Sequence, residues 1–287
     1  MSQKLLSPHE IERWSPPSLQ YVVGCSKLKE HFRKMLEANG LGPNLLITGD
    51  SGTGKTASVG AYLRAVMCPD RNPSTFDACG QCQSCKQFDP FHPMLWLTAH
   101  LFVRIPAGKK TISYFPIDCR SFGKNRLSQF LPKLKTPNPE EMTIVYLDSL
   151  HSLQQRGDGL VEMVAAYLDE PNTMCIATAP SASHLSPRLL REFPVVLSTS
   201  PASHEDFVQF LQQRCKDWGL NLDSPETLVL LAQRSNLNPR VAIEFLATVA
   251  RQRDRARTRN PLEHQFPADD TDGEQSGPGA GPSEPIE

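Results

Sequence analysis

A glycine-rich phosphate-binding pattern constrains this chain more than any other feature of its sequence. Residues 49–56 read Gly-Asp-Ser-Gly-Thr-Gly-Lys-Thr, which fits the pattern G-x-x-x-x-G-K-[ST]. They directly follow an apolar run, Asn44 to Thr48, that is typical of a buried strand, and from Lys55 to about Met67 apolar residues recur at helical spacing. Strand, loop and helix therefore come in the order that a nucleoside triphosphate site requires.

The residue types of this loop indicate its chemistry. Glycines at 49, 52 and 54 let backbone N–H groups surround phosphates, Lys55 can reach the β- and γ-phosphates, and Thr56 can place a hydroxyl on Mg²⁺. A glycine-rich turn with an incidental lysine is the alternative, and the flanking strand and helix disfavour it. The residues predicted to bind the nucleotide here are Gly49, Asp50, Ser51, Gly52, Thr53, Gly54, Lys55 and Thr56.

The overall composition predicts a cytoplasmic protein with one large and one smaller domain. The chain has 287 residues and a formal net charge of −1, so no global attraction to nucleic acid or membrane follows from its charge. We find no apolar run long enough to span a membrane and no signal-peptide core at the N-terminus. In such a chain, eight cysteines favour thiols and metal ligands over disulfides.

A cluster of cysteines follows the helix predicted after the loop. The spacing of Cys68, Cys79, Cys82 and Cys85 is C-x10-C-x2-C-x2-C. A C-x2-C turn lets two thiolates face one tetrahedral ion, about 2.3 Å from each sulfur. We therefore predict a structural zinc site with four thiolate ligands and no open position. The alternatives are four thiols without metal, and a ligand set in which His92 substitutes for one cysteine.

A second apolar run ends in a candidate metal ligand. Residues Thr143 to Leu147 predict a strand, and Asp148 follows it directly. An aspartate at the carboxyl end of a strand, across from a phosphate loop, is placed to hold Mg²⁺ through water. Asp148 is therefore predicted, together with Thr56, as a magnesium ligand. The alternative is an ordinary turn aspartate at the end of a strand.

The order of these motifs resembles that of one protein family. The matching segments are, in chain order, Glu12-Arg13-Trp14-Ser15-Pro16-Pro17, Tyr21-Val22-Val23-Gly24, the phosphate loop, the four cysteines, Asp148-x-x-His151-x-Leu153 and Leu168-Asp169-Glu170-Pro171. Together they resemble the AAA+ clamp-loader subunits of bacterial DNA polymerase III, of the gamma/tau and delta-prime type, over about residues 10–252. The cysteine cluster between loop and second strand is the most specific of these features.

The resemblance implies an α/β fold: a RecA-type AAA+ core with a parallel sheet and an inserted zinc module, followed by a small three-helix lid. Helix-start signals at Ser203, Ser224 and Asn238 fit the three lid helices. The C-terminal residues are acidic and rich in glycine and proline, which predicts disorder. The predicted domains are residues 1–200 (AAA+ core, with the zinc module at about 68–95), 201–253 (lid) and 254–287 (disordered tail).

The resemblance also implies roles for individual residues of the nucleotide site. Val23 and Gly24 match the segment that lines adenine, and Thr178 matches a strand-end residue that senses the γ-phosphate. Arg240 matches a lid arginine that reaches back to the phosphates. With Asp148, Thr178 and Arg240 form the predicted catalytic set. Taken alone, Thr178 is compatible with a strand-end turn and Arg240 with an exposed first helical turn.

Two departures from the family pattern affect catalysis. Hydrolysing relatives carry a glutamate where this chain has Ser149, and a serine has no basicity near neutral pH. Where the family has Ser-Arg-Cys, which supplies an arginine finger to the neighbouring subunit, this chain has Arg191-Glu192-Phe193. A third departure, the longer segment from Leu97 to Lys110, predicts an extra hairpin or loop.

We therefore predict an ATP-binding, clamp-loader-like AAA+ subunit of DNA replication or repair, whose nucleotide state switches contacts with proteins and DNA. Its cofactors are ATP, Mg²⁺ and Zn²⁺, and its ATPase activity is weak or depends on assembly. The resemblance implies other clamp-loader-like AAA+ subunits as partners, with the sliding clamp, polymerase and primed DNA as further contacts and no membrane. Two alternatives stay open: an active ATPase motor, and a stator subunit that does not use ATP.

Overall fold

A six-stranded sheet forms the centre of the larger domain in the computed structural model. The model describes residues 5–38, 41–89, 103–107, 110–121, 141–155, 164–166, 168, 172–220, 222 and 224–259. The strands are β1 (Leu45–Thr48), β2 (Val103–Ala107), β3 (Lys110–Asp118), β4 (Glu141–Asp148), β5 (Thr173–Ala179) and β6 (Val195–Ser198). Their order is β2-β3-β4-β5-β1-β6.

Five of these strands run parallel, and the sixth is an antiparallel edge strand. Strands β3, β4, β5, β1 and β6 pair in parallel, whereas β2 pairs with β3 in the antiparallel sense. The predicted α/β fold with a parallel sheet is therefore confirmed. Strand β2 lies in the segment from Leu97 to Lys110, which was predicted to form an extra hairpin or a loop. Its antiparallel pairing with β3 agrees with the hairpin.

Helices cover both faces of the sheet and form the smaller domain. They are α1 (Pro8–Glu12), α2 (Ser26–Glu37), α3 (Lys55–Met67), α4 (Gln83–Gln87), α5 (His151–Gln154), α6 (Pro187–Arg191), α7 (His204–Trp218), α8 (Pro225–Arg234) and α9 (Pro239–Arg259). In the part of the chain that the model describes, no helix is long and apolar enough to cross a membrane.

Alternate residues of the strands pack into two separate cores. On one face Ile144 and Tyr146 of β4 pack with α2 and α3, where the rings of Phe32 and Tyr62 stack 4.3 Å apart. On the other face Val145 of the same strand packs with α6 and the residues after β4. Burial on both faces explains why the strands read as nearly continuous apolar runs. The parallel pairing of β1, β4 and β5 places their carboxyl ends at the same edge of the sheet, where the phosphate loop follows β1.

The four-cysteine segment is attached to this core through its two ends. Cys68 follows α3 directly, and Phe88, just after α4, meets the ring of Tyr114 edge-on with centroids 5.5 Å apart. The carboxylate of Asp89 lies 3.5 Å from the guanidinium of Arg64 on α3. The segment therefore sits against one face of the sheet, and the described part ends at residue 89.

Three capped helices form the lid, as predicted. The hydroxyl of Ser203 accepts a hydrogen bond from the N–H of Asp206 at 3.0 Å, and that of Ser224 accepts one from the N–H of Thr227 at 3.2 Å. Such side-chain caps satisfy backbone donors that the first helical turn leaves unpaired. Helices α7, α8 and α9 share one hydrophobic core, in which Trp218 is buried.

Both ends of the lid differ from the predicted domain limits. Ile11 of α1 is completely buried in the lid core, although the prediction assigned residues 1–200 to the AAA+ core. Helix α9 continues to Arg259, six residues into the predicted tail. Near the end of this helix the guanidinium of Arg253 donates to the carbonyl of Leu6 at 2.8 Å and to that of Trp218 at 3.2 Å. The predicted disordered part beyond residue 259 lies outside the described residues.

Truncation at two points tests this revised limit. Ending the chain after Arg259 should leave the melting temperature unchanged, because the removed residues are too polar to bury a core. Ending it after Ala250 should destabilise the lid by about 2 kcal/mol, because the ion pair of Arg251 with Glu12 and the contacts of Arg253 are lost. For a chain of this size that is a fall of about 4–8 °C in differential scanning calorimetry. Equal melting temperatures for the two truncations would contradict this lid limit.

Candidate functional site

A cleft of about 830 Å³ lies between the carboxyl edge of the sheet and the lid. Its walls are the phosphate loop, the ends of β3, β4 and β5, the segment before α2, and lid helices α7 and α9. The volume is in the range of small-molecule and cofactor sites. The cleft therefore collects, in one place, most of the residues predicted from separate sequence motifs.

The phosphate loop has the backbone that its glycines predict. Gly49, Gly52 and Gly54 have φ values of 138°, 82° and 92°, a region that side chains other than glycine rarely adopt. The Nζ atom of Lys55 donates to the carbonyl oxygens of Gly49 and Asp50, each at 2.6 Å. Burial lowers the pKa of Lys55, while the nearby Asp148 acts in the opposite direction. The loop thus holds a half-buried cation that phosphate oxygens can take over.

The remaining loop residues link the loop to the rest of the core. The Thr53 hydroxyl lies 2.7 Å from the carbonyl oxygen of Asp50 and 2.8 Å from the hydroxyl of Thr199, which follows β6. A Cβ atom on Gly49 would lie 2.0 Å from the Thr199 hydroxyl oxygen, so only glycine fits there. These contacts hold the loop against the sheet on the side away from the cleft.

Asp148 lies at the end of β4 with both carboxylate oxygens engaged. Oδ1 accepts hydrogen bonds from the hydroxyls of Thr178 at 2.8 Å and Tyr146 at 3.0 Å. The Tyr146 hydroxyl also lies 3.5 Å from Oγ1 of Thr56, which places that loop hydroxyl beside the carboxylate. The two predicted magnesium ligands, Thr56 and Asp148, therefore both contact the hydroxyl of Tyr146. Hydroxyl and carboxylate oxygens suit this hard cation.

Thr178 and Ser149 form a small network with that carboxylate. Thr178 is buried, and its hydroxyl oxygen accepts the backbone N–H of Ser149 at 3.0 Å while donating to Asp148. Ser149 has a left-handed backbone, φ 59°, and its hydroxyl oxygen lies 3.5 Å from Oδ2 of Asp148. The residue predicted to sense the γ-phosphate thus contacts the predicted magnesium ligand directly.

The start of α9 brings the lid onto the phosphate loop. A guanidinium N–H of Arg240 donates to the Ser51 hydroxyl at 3.3 Å, and the side-chain amide of Asn238 donates to the Ser51 carbonyl at 2.9 Å. A Cβ atom on Gly52 would lie 2.2 Å from the amide oxygen of Asn238. The glycine therefore permits the close approach of lid and loop. The helix-start signal at Asn238 was recognised in the sequence, but its contact with the loop was not.

Aromatic and aliphatic side chains line another part of the cleft. Trp14 and Phe210, whose ring centroids are 6.2 Å apart, lie here with Val23 and Ile243. Such surfaces suit a planar base. The neighbouring Gly24, predicted to line adenine as well, instead packs against the chain after β6, where an added Cβ atom would lie 2.8 Å from the N atom of Ala202.

The sequence interpretation missed a charged pair at the end of β3. Asp118 is the register partner of Asp148, and Arg120 lies two residues later. The Arg120 guanidinium donates from Nε to Oδ1 of Asp118 at 2.9 Å, and its Nη2 lies 3.4 Å from Oδ2 of Asp148. Asp118 raises the pKa of Arg120, chiefly through this hydrogen bond. The available signal was an aspartate ending a β-rich run, the feature that identified Asp148.

The four cysteine sulfurs form a compact group outside the cleft. The Sγ atoms of Cys68, Cys79, Cys82 and Cys85 all lie within 4.8 Å of one another, and two of the pairs are 3.9 Å apart. Sulfurs placed tetrahedrally about 2.3 Å from one ion are about 3.8 Å apart. Backbone N–H groups of Gln81 and Cys82 point at the Cys79 sulfur and lower its pKa to about 6. The cluster fits a closed zinc site.

Several predicted residues fall outside the described part of the chain. They are His92, Asp169, Glu170 and Pro171. The same holds for Leu97, at which the predicted insertion begins.

Comparisons with known proteins give one family match and many matches of fold. A family model described as DNA polymerase III, delta subunit matches residues 24–95, which include the phosphate loop and the four cysteines. Comparison with curated proteins gives no match. Over these residues the match supports the resemblance to clamp-loader subunits.

Two of the matching solved structures illustrate the shared fold. One is the Holliday junction branch migration motor RuvB of Thermotoga maritima, with 16% identity, a TM-score of 0.53 and coverage of 85% of this chain and 66% of that one. Another is the Aeropyrum pernix ORC1 protein in complex with DNA, with 14% identity, a TM-score of 0.61 and coverage of 90% and 66%. The present chain thus spans slightly less than two thirds of their length, and at this identity the similarity concerns the fold.

Proposed function

We propose that this chain is an ATP-binding, clamp-loader-like AAA+ subunit whose nucleotide state controls contacts with protein partners and DNA. The observation that carries the proposal is the convergence of Lys55, Thr56, Asp148 and Arg240 on one cleft. The first three come from the core and the last from the lid. A ligand bound between them contacts both domains at once.

The lid contact supplies the basis for switching. Arg240 and Asn238 each donate a hydrogen bond to Ser51, and Asn238 also lies close to Gly52, so the start of α9 is held on the loop. Phosphates on the loop offer Arg240 a charge-assisted alternative to the Ser51 hydroxyl, and such bonds are roughly twice as strong as neutral ones. The angle of the lid then depends on which phosphates are present, which is a population shift between two domain arrangements.

The core residues have separable tasks in this proposal. Bound Mg²⁺ supplies positive charge that neutralises the phosphates. Lys55, which now donates to two backbone carbonyls, would bind phosphate oxygens. Asp148 would hold the metal, and the hydroxyls of Tyr146 and Thr178 fix its Oδ1 atom. Ser149 offers no basic group for activating water. The site is thus better suited to binding than to hydrolysis.

The role in DNA metabolism rests on comparison. The family match is to a DNA polymerase III subunit, and the titles of the two structural neighbours name a Holliday junction motor and a complex with DNA. We therefore propose replication or repair as the setting, with other AAA+ subunits, a sliding clamp, a polymerase and primed DNA as partners. A motor role is the second candidate, because one neighbour is a motor.

Replacement of the loop lysine tests nucleotide binding directly. Wild-type protein should bind Mg·ATP with a dissociation constant on the order of micromolar. Lys55→Ala should weaken binding roughly 100-fold or more, because charge-assisted bonds to two phosphates are lost. Lys34→Ala is the matched control, since Lys34 is exposed and pairs only with Glu30 among its described contacts. Fluorescence titration with a labelled ATP analogue measures all three proteins.

The outcomes of that titration separate the candidate functions. Equal affinities for wild-type and Lys55→Ala protein would contradict the proposed site. Failure of folded wild-type protein to bind ATP would favour a stator that does not use nucleotide. Binding accompanied by rapid hydrolysis would favour the motor.

A further inference from the structure

We propose that Arg120 contacts the γ-phosphate of a nucleoside triphosphate bound in the cleft of its own chain, and that Asp118 positions it for this contact. The inference rests on the nucleotide-binding function proposed above and adds one ligand-contacting residue to that site. The ion-pair geometry at the carboxyl edge of the sheet carries it.

Asp118 holds the guanidinium of Arg120 from one side. Its Oδ1 atom accepts the Nε–H of Arg120 at 2.9 Å and the backbone N–H of the same residue at 3.0 Å, and its Oδ2 lies 3.4 Å from Nη2. This fork fixes the position of the positive charge. The Arg120 side chain is nevertheless 63% exposed, so it remains accessible from the cleft, whose wall it helps to form. A guanidinium has five N–H donors, and one carboxylate does not exhaust them.

Arg120 faces the part of the cleft where the terminal phosphate is expected. Among the described residues that line the cleft, the permanently charged cations are Lys55, Arg120 and Arg240. Lys55 and Arg240 are both bonded to the phosphate loop. Arg120 instead lies at the wall formed by the end of β3, where it contacts Asp148. With the base at the aromatic end and the metal at Asp148, the γ-phosphate is the portion of a nucleotide that reaches this wall.

Binding of a nucleotide changes the partner of Arg120. Nη2 now lies 3.4 Å from Oδ2 of Asp148, an oxygen that also suits a divalent cation. Asp148 is a residue that would hold the metal, and Arg120 would then keep Asp118 as its carboxylate partner. Its free N–H groups then find phosphate oxygens, with which a guanidinium forms paired, charge-assisted bonds. ADP lacks the phosphate concerned, so the contact should appear as selectivity for ATP over ADP.

The test compares affinities for two nucleotides in the presence of Mg²⁺. Isothermal titration calorimetry with ATP and with ADP is carried out on full-length wild-type, Arg120→Ala, Arg120→Lys and Asp118→Asn proteins. Arg120→Ala should lower the ratio of the ADP to the ATP dissociation constant about 10-fold or more. Arg120→Lys should retain part of this selectivity, and Asp118→Asn should lose part of it. Equal melting temperatures will show that the variants are folded, as the exposure of Arg120 leads us to expect.

Arg191→Ala is the matched control. Arg191 is also an exposed arginine, but its described hydrogen bond is local, from Nε to the carbonyl of Pro187 at 3.4 Å. The ratio of the ADP to the ATP dissociation constant of Arg191→Ala protein should equal that of the wild type. An unchanged ratio in Arg120→Ala, or equal losses of ATP and ADP affinity, would overturn this inference while leaving the nucleotide site intact. A wild-type protein that binds neither nucleotide would overturn the inference and the proposed function together.

Discussion

The purified protein is expected to contain one zinc ion per chain, bound by Cys68, Cys79, Cys82 and Cys85. The sulfur separations of 3.9 Å match the edge of a tetrahedral thiolate site. Structural zinc contributes roughly 10–16 kcal/mol of apparent binding free energy at neutral pH, which exceeds what any single packing contact provides. Mass spectrometric metal analysis of protein prepared without added metal measures the stoichiometry. A folded preparation without zinc would contradict this assignment.

Removal of two ligands should disrupt the cysteine segment and spare the cleft. In the double variant Cys82→Ser and Cys85→Ser we expect loss of zinc and rapid proteolysis within residues 68–89, because the local fold depends on the metal. Gln83→Ala is the control, since this exposed side chain lies between the ligands and is not one of them. ATP affinity should change little, as the described cleft lining contains none of the four cysteines. A large loss of ATP affinity in the double variant would show that the segment supports the nucleotide site.

Local patterns in the sequence predicted the parts of the site that depend on one segment. The glycines of the phosphate loop require left-handed backbone, and the model has it at Gly49, Gly52 and Gly54. The position of Asp148 in the site could be predicted because the apolar run of its strand ends there. The carboxyl ends of parallel strands lie at one edge of the sheet. The grouping of the four cysteines was predicted from their spacing alone. Each of these features is complete within a short stretch of chain.

Long-range packing produced the features that the sequence did not reveal. Arg120 lies beside Asp148 only because β3 pairs with β4, and no sequence pattern predicted that pairing. By its position in the sequence Ile11 was assigned to the first domain, but it is buried in the core of the lid. Arginines at every second position from 251 to 259 do not show a helical period, so the end of α9 was placed too early.

The isolated chain is expected to hydrolyse bound ATP at a rate close to the uncatalysed background. Loss of a general base at Ser149 removes typically about 10²–10⁴ in rate. Loss of a finger arginine, where this chain has Glu192, removes on the order of 10³–10⁵ in related phosphoryl-transfer sites. Ground-state binding should survive, because Lys55 and the loop supply it. Phosphate release by wild-type protein, measured against Lys55→Ala as background, tests the prediction.

Placing a glutamate at position 149 should restore only part of the hydrolysis rate. Ser149→Glu should raise hydrolysis modestly, because no neighbouring subunit offers a finger, and Ser149→Ala should change nothing since it adds no base. Wild-type turnover of about 1 s⁻¹ or faster would contradict the binding-switch proposal and require another base. One candidate in the described cleft is His151, because burial and the nearby His184 lower its pKa and favour the neutral imidazole. Activity from His151 would fall as the pH drops below that lowered pKa, and His151→Gln would abolish it. A carboxylate such as Asp169 or Glu170 would leave the activity of His151→Gln intact.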